Sequence, residues 1–542
     1  MVNAANTLVL RDGDDVAVAL SDLAAGDMVA TGEPAGVAVR AAVPAGHKVA
    51  TRDLPAGTKV HKYGEVIGVT TVPVAAGEHV HVHNLAFVPA SGPGDSRSPA
   101  GNAAGAGQRG GGTGQRGIGA GAGRRGGGTG QRGIAGQHRT RPQTGTATFD
   151  GIVRPDGRVG TRNYLGVLTS VNCSATVAKL IARKAQAMVD ASPHLDGVVA
   201  LTHGTGCGMA APGEGLDILR RTLTGYAAHP NFAGIVAVGL GCEVNQLADL
   251  DLAGCPNPVR MLSIQEAGGT TAAARAGVEA LASLLPEAES ARRTPVPASA
   301  LILGLNCGGS DAFSGMTANP ALGAAVDLLV AQGGTAVLAE TPEIYGAEHL
   351  LVARAASPDV ADSLLARIAW WDGYTAASGT TMDANPAPGN KAGGITTILE
   401  KSLGAIAKGG TTPLRAVYQY AQRVGAKGLV FMDTPGYDPV SVTGIVAGGA
   451  QVVCFTTGRG SVFGAKPAPS LKLCSNSRTH AAMGEDMDVN CGVIADGEAS
   501  VSDVGRKIFD RVLAVASGRA TASELLGFGD EEFTPWQLGV VM

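Results

Sequence analysis

Four apolar runs rich in β-branched residues each end in a glycine-containing loop with a cysteine. They are YLGVLTSVNC ending at Cys173, DGVVALTHGTGC at Cys207, AGIVAVGLGC at Cys242 and ASALILGLNC at Cys307. A strand covered on both faces needs no polar alternation, so such runs read as buried parallel strands. SATVAKLIARKAQAMV (174–189), GLDILRRTLTGYAA (215–228), TAAARAGVEALASLL (271–285) and ALGAAVDLLVAQ (321–332) follow them with the apolar spacing of helices. Alternation of this kind predicts a doubly wound α/β fold, in which ligands bind outside the carboxyl ends of the strands. The four thiols are expected at those ends.

The chain has 542 residues, too many for one core. Residues 1–90 read as a small β domain, because the turns VPAGHKV, LPAGTKV and VAAGEHV recur and no helical period is sustained. Residues 91–148 read as a flexible, disordered linker. GQRGGGTGQRGI (107–118) recurs as GRRGGGTGQRGI (123–134), and apolar side chains that could offset the entropy of ordering are nearly absent. Eight arginines there oppose only Asp95, a charge of +7 that leaves −11 on the rest of a chain whose net is −4. An Arg/Gly contact with RNA is the other reading, but no aromatic is interleaved for base stacking. The α/β region divides into units at 149–400 and 401–542. In the second, strands are expected at GLVFMDT (428–434), QVVCFTT (451–457) and SLKLCSN (470–476), and a helix near 501–516. Toward the end of the first come a helix near 345–375 and the loop ANPAPGNKAGG (384–394).

With a net charge of −4, no nucleic-acid partner is expected. Arg11, Asp12, Asp14 and Asp15 come too early for a signal peptide, and no run approaches the ~18–20 apolar residues of a membrane span. Eight cysteines form no dense disulfide framework, so a reducing, cytoplasmic setting is expected.

The loops carry more than thiols. His203 precedes Cys207 in THGTGCG, Glu243 follows Cys242, and Ser310 and Asp311 follow Cys307. Thiolates favour iron or zinc. A single buried cysteine is otherwise a small hydrophobe, and each of the four allows that reading too. In HVHVHN a strand would put His79, His81 and His83 on one face, as metal ligands or as the polar face of an edge strand. His47 and Lys48 can join the same polar cleft. Glu340 ends a strand as a candidate ligand or base. Glu343 reads either as a partner to it or as an acid at a helix N-terminus. Asn390 and Lys391 lie in the polar PGNKAGG loop. TTGRGS (456–461) offers backbone N–H groups and Arg459 to an anion, or is simply a tight turn. It matches neither GxGxxG nor GK[ST], so no nucleotide cofactor is expected.

Taken together, DGRVGTRNYLGVLTSVNCSATVA, THGTGCG, HPNFAGIVAVGLGCE, NCGGSDAFSGMTANPALG, ETPEIYGAEHLL, NPAPGNKAGGITTILEKSLGAIAKGG and TTGRGSVFG resemble the altronate/galactarate dehydratase family, and GHKVA, KYGEVIG and GEHVHVHN resemble its SAF domain. The Arg/Gly insertion does not resemble the family's shorter connection. The resemblance implies a hydro-lyase that removes water across C2 and C3 of a sugar acid to give a 2-keto-3-deoxy acid. ETPEIYGAEHLL and GEHVHVHN lean toward the altronate branch, with galactarate or another aldarate, or sulfolactate, as alternatives. A non-enzymatic iron–sulfur or redox protein is the alternative class. The resemblance also implies a divalent metal, as Fe²⁺ or as an iron–sulfur cluster. On this reading it is held near Cys173, Cys207, Cys242 and Cys307, with His203, Glu243, Glu340 and Lys391 as acid/base or ligand groups. Ser310, Asp311 and Asn390 would contact hydroxyls, Lys391 and Arg459 a carboxylate, and His79 and His81 would close over the substrate. The partner is then a small sugar acid, in a monomer or homo-oligomer.

Overall fold

A computed structural model describes residues 6–29, 36–88 and 145–539. The Arg/Gly repeats lie outside the described residues. The N-terminal domain is built from short strands. Thr7–Leu8, Val16–Ala19, Lys48–Ala50 and His79–Val80 form one antiparallel sheet, and Lys59–Lys62, Glu65–Thr70 and Leu85–Ala86 another. Val16, Val60, Ile67, Val74 and Val80 pack between them. Turn glycines punctuate the domain as the sequence predicts.

The rest is α/β, in two parallel sheets and a small antiparallel one in which Thr148–Val153 pairs with Val159–Gly160 and Arg293–Pro297. The first has the order Gly197–Leu201, Tyr164–Thr169, Phe232–Gly239, Val259–Ser263. Helices Ala175–Asp190 and Thr270–Ser290 cover one face through Val177, Ile181, Leu281 and Leu284. The second runs Leu414–Tyr418, Gly428–Met432, Thr335–Leu338, Ile302–Cys307, Val452–Thr457, Ser470–Cys474, Val489–Asn490. The second sheet takes strands from both sides of residue 400. The strand ending at Cys307 pairs with Thr335–Leu338 and Val452–Thr457, so it belongs with the later strands. The apolar pattern marks each strand but does not say which neighbour it pairs with.

In each parallel sheet the chain reverses its direction of winding once. The first reversal falls between Tyr164–Thr169 and Phe232–Gly239, the second between Ile302–Cys307 and Val452–Thr457. Loops diverge at such points and leave a crevice at the carboxyl ends. Among the described residues no helix is long and apolar enough to cross a membrane.

The N-terminal domain is held against the second sheet by buried charge. Lys48 and Lys62 are both fully buried and share the Glu400 carboxylate, at 2.9 and 2.7 Å. Lys48 also donates to Gly394 O at 2.7 Å. Burial alone would raise the Glu400 carboxyl, but Lys48 and Lys62 overcome it and hold the group far below the usual carboxylate range. Burial lowers Lys48 to about 8.

Two outcomes follow from this packing. Glu400→Gln leaves two buried ammonium groups without a counter-charge and is expected to cost about 3–5 kcal/mol. Urea denaturation measures the loss, and limited proteolysis should show the N-terminal domain released before the rest unfolds. His229 is buried as a neutral ring between Ala450 O and the Asn231 N–H, and burial lowers its pKa to about 4. The unfolded chain takes up a proton near 6.5 that the folded chain refuses, so stability falls as the pH drops from 6.5 toward 4. The full effect is about 3 kcal/mol, and H229Q should remove that share of the acid dependence of urea midpoints.

Candidate active site

The crevice of the second sheet gathers residues from five strand ends. Cys307 ends its strand fully buried. Its N–H donates to Glu340 Oε2 at 3.0 Å, and its thiol lies 2.8 Å from Glu343 Oε2. Lys408 Nζ stands 2.6 Å from that sulfur and 2.7 Å from Glu340 Oε2, and Lys401 pairs with Glu343 at 2.7 Å. Burial, then the two carboxylates, pushes the thiol pKa far up, so it is a neutral donor. Burial and the Glu343 charge raise Glu340 to about 7. For Glu343 burial acts upward, but Lys401 and Lys408 outweigh it and keep it ionised. Asp438 follows the logic of Glu340, raised to about 8. Glu340 has a left-handed backbone (φ 69°), rare for a residue with a Cβ, and its Oε1 has no hydrogen-bond partner.

Asp311, on the loop after Cys307, accepts from the Ser314 N–H (2.9 Å), Ser475 Oγ (2.7 Å) and Asn476 Nδ2 (2.9 Å). It therefore clamps two strand-end loops together. A Cβ on Gly458 would overlap its carboxyl group, which is why that position is glycine. The Gly458 and Arg459 N–H groups both donate to Gly309 O, at 3.1 and 2.9 Å. Two of the backbone donors expected for an anion are thus used internally, and the exposed Arg459 side chain is the cation of the loop. Ser310 is fixed through its carbonyl by Asn390 Nδ2 at 2.8 Å, and Asn390 also caps the Pro388–Ala392 helix at the Ala387 N–H. Lys391 is half-buried on that helix.

The N-terminal domain brings imidazoles to the same place. His47 Nδ1 lies 2.9 Å from His79 Nε2, its Nε2 lies 3.3 Å from Ala392 O, and the His47 and His81 rings are 4.7 Å apart. Only His79–Val80 is strand. A turn closed by Asn84, which accepts from the His81 N–H and donates to His79 O, brings His81 back beside His79. The trio is therefore His47, His79 and His81, with donor atoms within 4.8 Å of one another. His81 Nδ1 is buried without a hydrogen-bond partner. Burial and the neighbouring cations lower His79 to about 4 and His81 to about 3, which leaves the rings neutral and free to bind a cation.

A cleft of about 580 Å³ opens between the domains, lined by Asp22, Asp311, Ala392, Arg459, Asn476 and Arg478 among others. A larger cavity, about 670 Å³, lies around Arg158, Pro230, Ile302 and Gln451 at the amino ends of the strands, away from both crevices.

The four cysteines are not brought together. Cys307 is sealed among carboxylates and lysines, whereas Cys173, Cys207 and Cys242 are exposed on the first sheet. His203 and Glu243 stay with those three. Both His203 ring nitrogens are occupied, by Thr169 O and Thr205. Glu243 accepts from Ser170 Oγ and the Leu240 and Gly241 N–H groups. Burial lowers His203 to about 4. Sequence reasoning missed Glu400, Lys401 and Lys408 as a buried charge set. The signal was present in ILEKSLGAIAKGG, where charges interrupt an otherwise apolar helical run.

Comparison with known proteins matches this arrangement. Residues 5–87 match the Altronate/galactarate dehydratase SAF domain. Residues 151–289 match the D-galactarate dehydratase/Altronate hydrolase second domain, and residues 298–541 the D-galactarate/Altronate dehydratase C-terminal domain. The altronate dehydratase of Bacillus subtilis is 32% identical over 98% of both chains. The galactarate dehydratase (L-threo-forming) of Escherichia coli is 34% identical over 94% of this chain and 92% of its own. The (2R)-sulfolactate sulfo-lyase subunit beta of Chromohalobacter salexigens is 33% identical over 70% of this chain and 95% of its own. With all three of these domains matched along the chain, and relatives at 32–34% identity over nearly its full length, the chain belongs to the altronate/galactarate dehydratase family of sugar-acid dehydratases.

Proposed function

We propose that the chain removes water from an altronate-type sugar acid to give a 2-keto-3-deoxy acid, in the cleft between the SAF domain and the second sheet. The observation that carries this reading is the His47, His79 and His81 group, with the unpartnered His81 Nδ1, standing beside a crevice that also offers Arg459. Three neutral imidazoles suit a divalent first-row cation such as Fe²⁺. When bound, such an ion supplies Lewis acidity to an oxygen of the substrate.

The chain's own groups divide the remaining work. Arg459 takes the substrate carboxylate, for which its planar fork is suited. Asp311 and Asn476 hold the shape of the pocket floor. Lys391, on the helix whose Ala392 carbonyl meets His47, moves a proton at the C2 or C3 side of the substrate. The sealed Cys307, Glu340, Glu343 and Lys408 cluster ties strand ends together beneath the pocket. Three exposed free thiols fit a reducing, cytoplasmic setting. Relatives named for altronate, galactarate and sulfolactate set the substrate range to be tested.

An anaerobic screen of altronate, galactarate, glucarate and sulfolactate with added Fe²⁺, reading 2-keto-3-deoxy acid or sulfite, tests the reading. Turnover of altronate is expected; sulfite release from sulfolactate alone would replace it with the sulfo-lyase activity. His81→Ala should lose the bound divalent ion and lower kcat at least 100-fold, whereas wild-type turnover and metal content in this variant would refute the imidazole site. Arg459→Ala removes hydrogen bonds to a charged group, worth about 1.5–3 kcal/mol, and so should lower kcat/KM about 10- to 100-fold.

A further inference from the structure

The crevice of the first sheet has no part in the reaction proposed above, yet it is built as carefully. Cys173, Cys207 and Cys242 come from the loops that follow three neighbouring parallel strands, with the reversal of winding between the first and third of these loops. All three are exposed, while Cys307, Cys454, Cys474 and Cys491 are buried and Cys255 is half-buried. Cysteine is among the residues most often buried, and an exposed thiol invites oxidation. Three of them on one sheet edge therefore point to an occupant.

The loops are laced together. The Asn172 N–H donates to Thr205 O (2.9 Å) and the Asn245 N–H to Gly206 O (3.0 Å). Asn172 Nδ2 donates to His203 O (3.1 Å) and Asn245 Nδ2 to Ser170 O (2.9 Å). Gly206 has φ 100°, and a Cβ there would overlap the Ser170 carbonyl, so the backbones are as close as they can be. Among the described residues the only hydrogen bond to any of the three thiols is from Gln265 Nε2 to Cys242, at 3.4 Å.

We infer that Cys173, Cys207 and Cys242 hold a [4Fe–4S] cluster through three thiolates, with the fourth iron left to a non-protein oxygen ligand. Spacing decides against a single ion. With metal–sulfur bonds of about 2.3 Å, three thiolates on one ion would lie within about 4.6 Å of one another, whereas the groups whose three donors lie within 4.8 Å of one another are elsewhere among the described residues. The nearby polar side chains offer no fourth ligand: both Glu243 oxygens and both His203 nitrogens are already used, as described above. A polar cleft of about 370 Å³, lined by Asn172, Lys179, His203, Gly204 and Gln537, opens among the same strand-end loops. A cluster passed intact in its 2+ state from a thiolate-ligated donor exchanges ligands: three donor Fe–S bonds break as three form to the chain, each thiol's proton goes to a departing donor thiolate, and the electron count does not change.

The test is full-length protein purified without oxygen from iron-replete cells, assayed for iron, acid-labile sulfide and visible absorption. About four sulfides per chain are expected. C173S, C207S and C242S should each lose at least nine-tenths of the sulfide, and C255S and H81A should keep it. In wild-type protein, mass spectrometry after alkylation should find the three thiols protected with the cluster bound and reactive once it is chelated away, a readout independent of how the variants fold. Absence of sulfide from wild-type protein, or sulfide retained in the folded triple variant, overturns the inference. Fe²⁺-dependent dehydration without sulfide would sink the cluster and spare the proposed function. A cluster without turnover of any sugar acid would do the reverse.

Discussion

One buried carboxylate, Glu400, holds the two halves of the site together. Two fully buried lysines of the N-terminal domain would be strongly unfavourable without it, and their burial is what fixes that domain over the second sheet. The same segment carries Lys401, which pairs with Glu343, and Lys408, which pairs with Glu340 and Cys307. A helix and turn of about a dozen residues thus answers the lysines of the SAF domain and the two carboxylates that follow strand Thr335–Leu338. Moving that segment would uncover charge in three places at once, so the imidazole trio and the Arg459 crevice keep a fixed relation.

The two sheets repeat one architectural rule with different chemistry. Each reverses its winding once, and each reversal gathers unusual side chains at the carboxyl ends. In the second sheet the thiol is buried among lysines and carboxylates, and burial keeps it protonated. In the first the thiols are exposed and nearly free of hydrogen bonds, so their sulfurs are open to a ligand. Position at a strand end is therefore shared by all four cysteines, and environment separates them.

Much of the fold is legible in the chain. The four cysteine-terminated runs, the helices after them and the turn-rich first domain follow from apolar periodicity and glycine placement. The site is legible only in part. HVHVHN signals a group of histidines, but the member that completes the group is His47, from a different strand, and His81 arrives by a turn rather than along a strand face. TTGRGS signals an anion site, but the Gly458 and Arg459 N–H groups are taken by Gly309, so the Arg459 side chain is the cation it offers.

By itself the sequence determined the kind of fold, the existence of polar loops at strand ends and the family, because periodicity and local motifs are properties of short segments. Only the tertiary structure decided that Cys307 stands apart from Cys173, Cys207 and Cys242, and that Lys48 and Lys62 meet Glu400. Strand pairing and domain docking join residues hundreds of positions apart. Those contacts depend on complementary shape and buried charge, which no local pattern in the chain records.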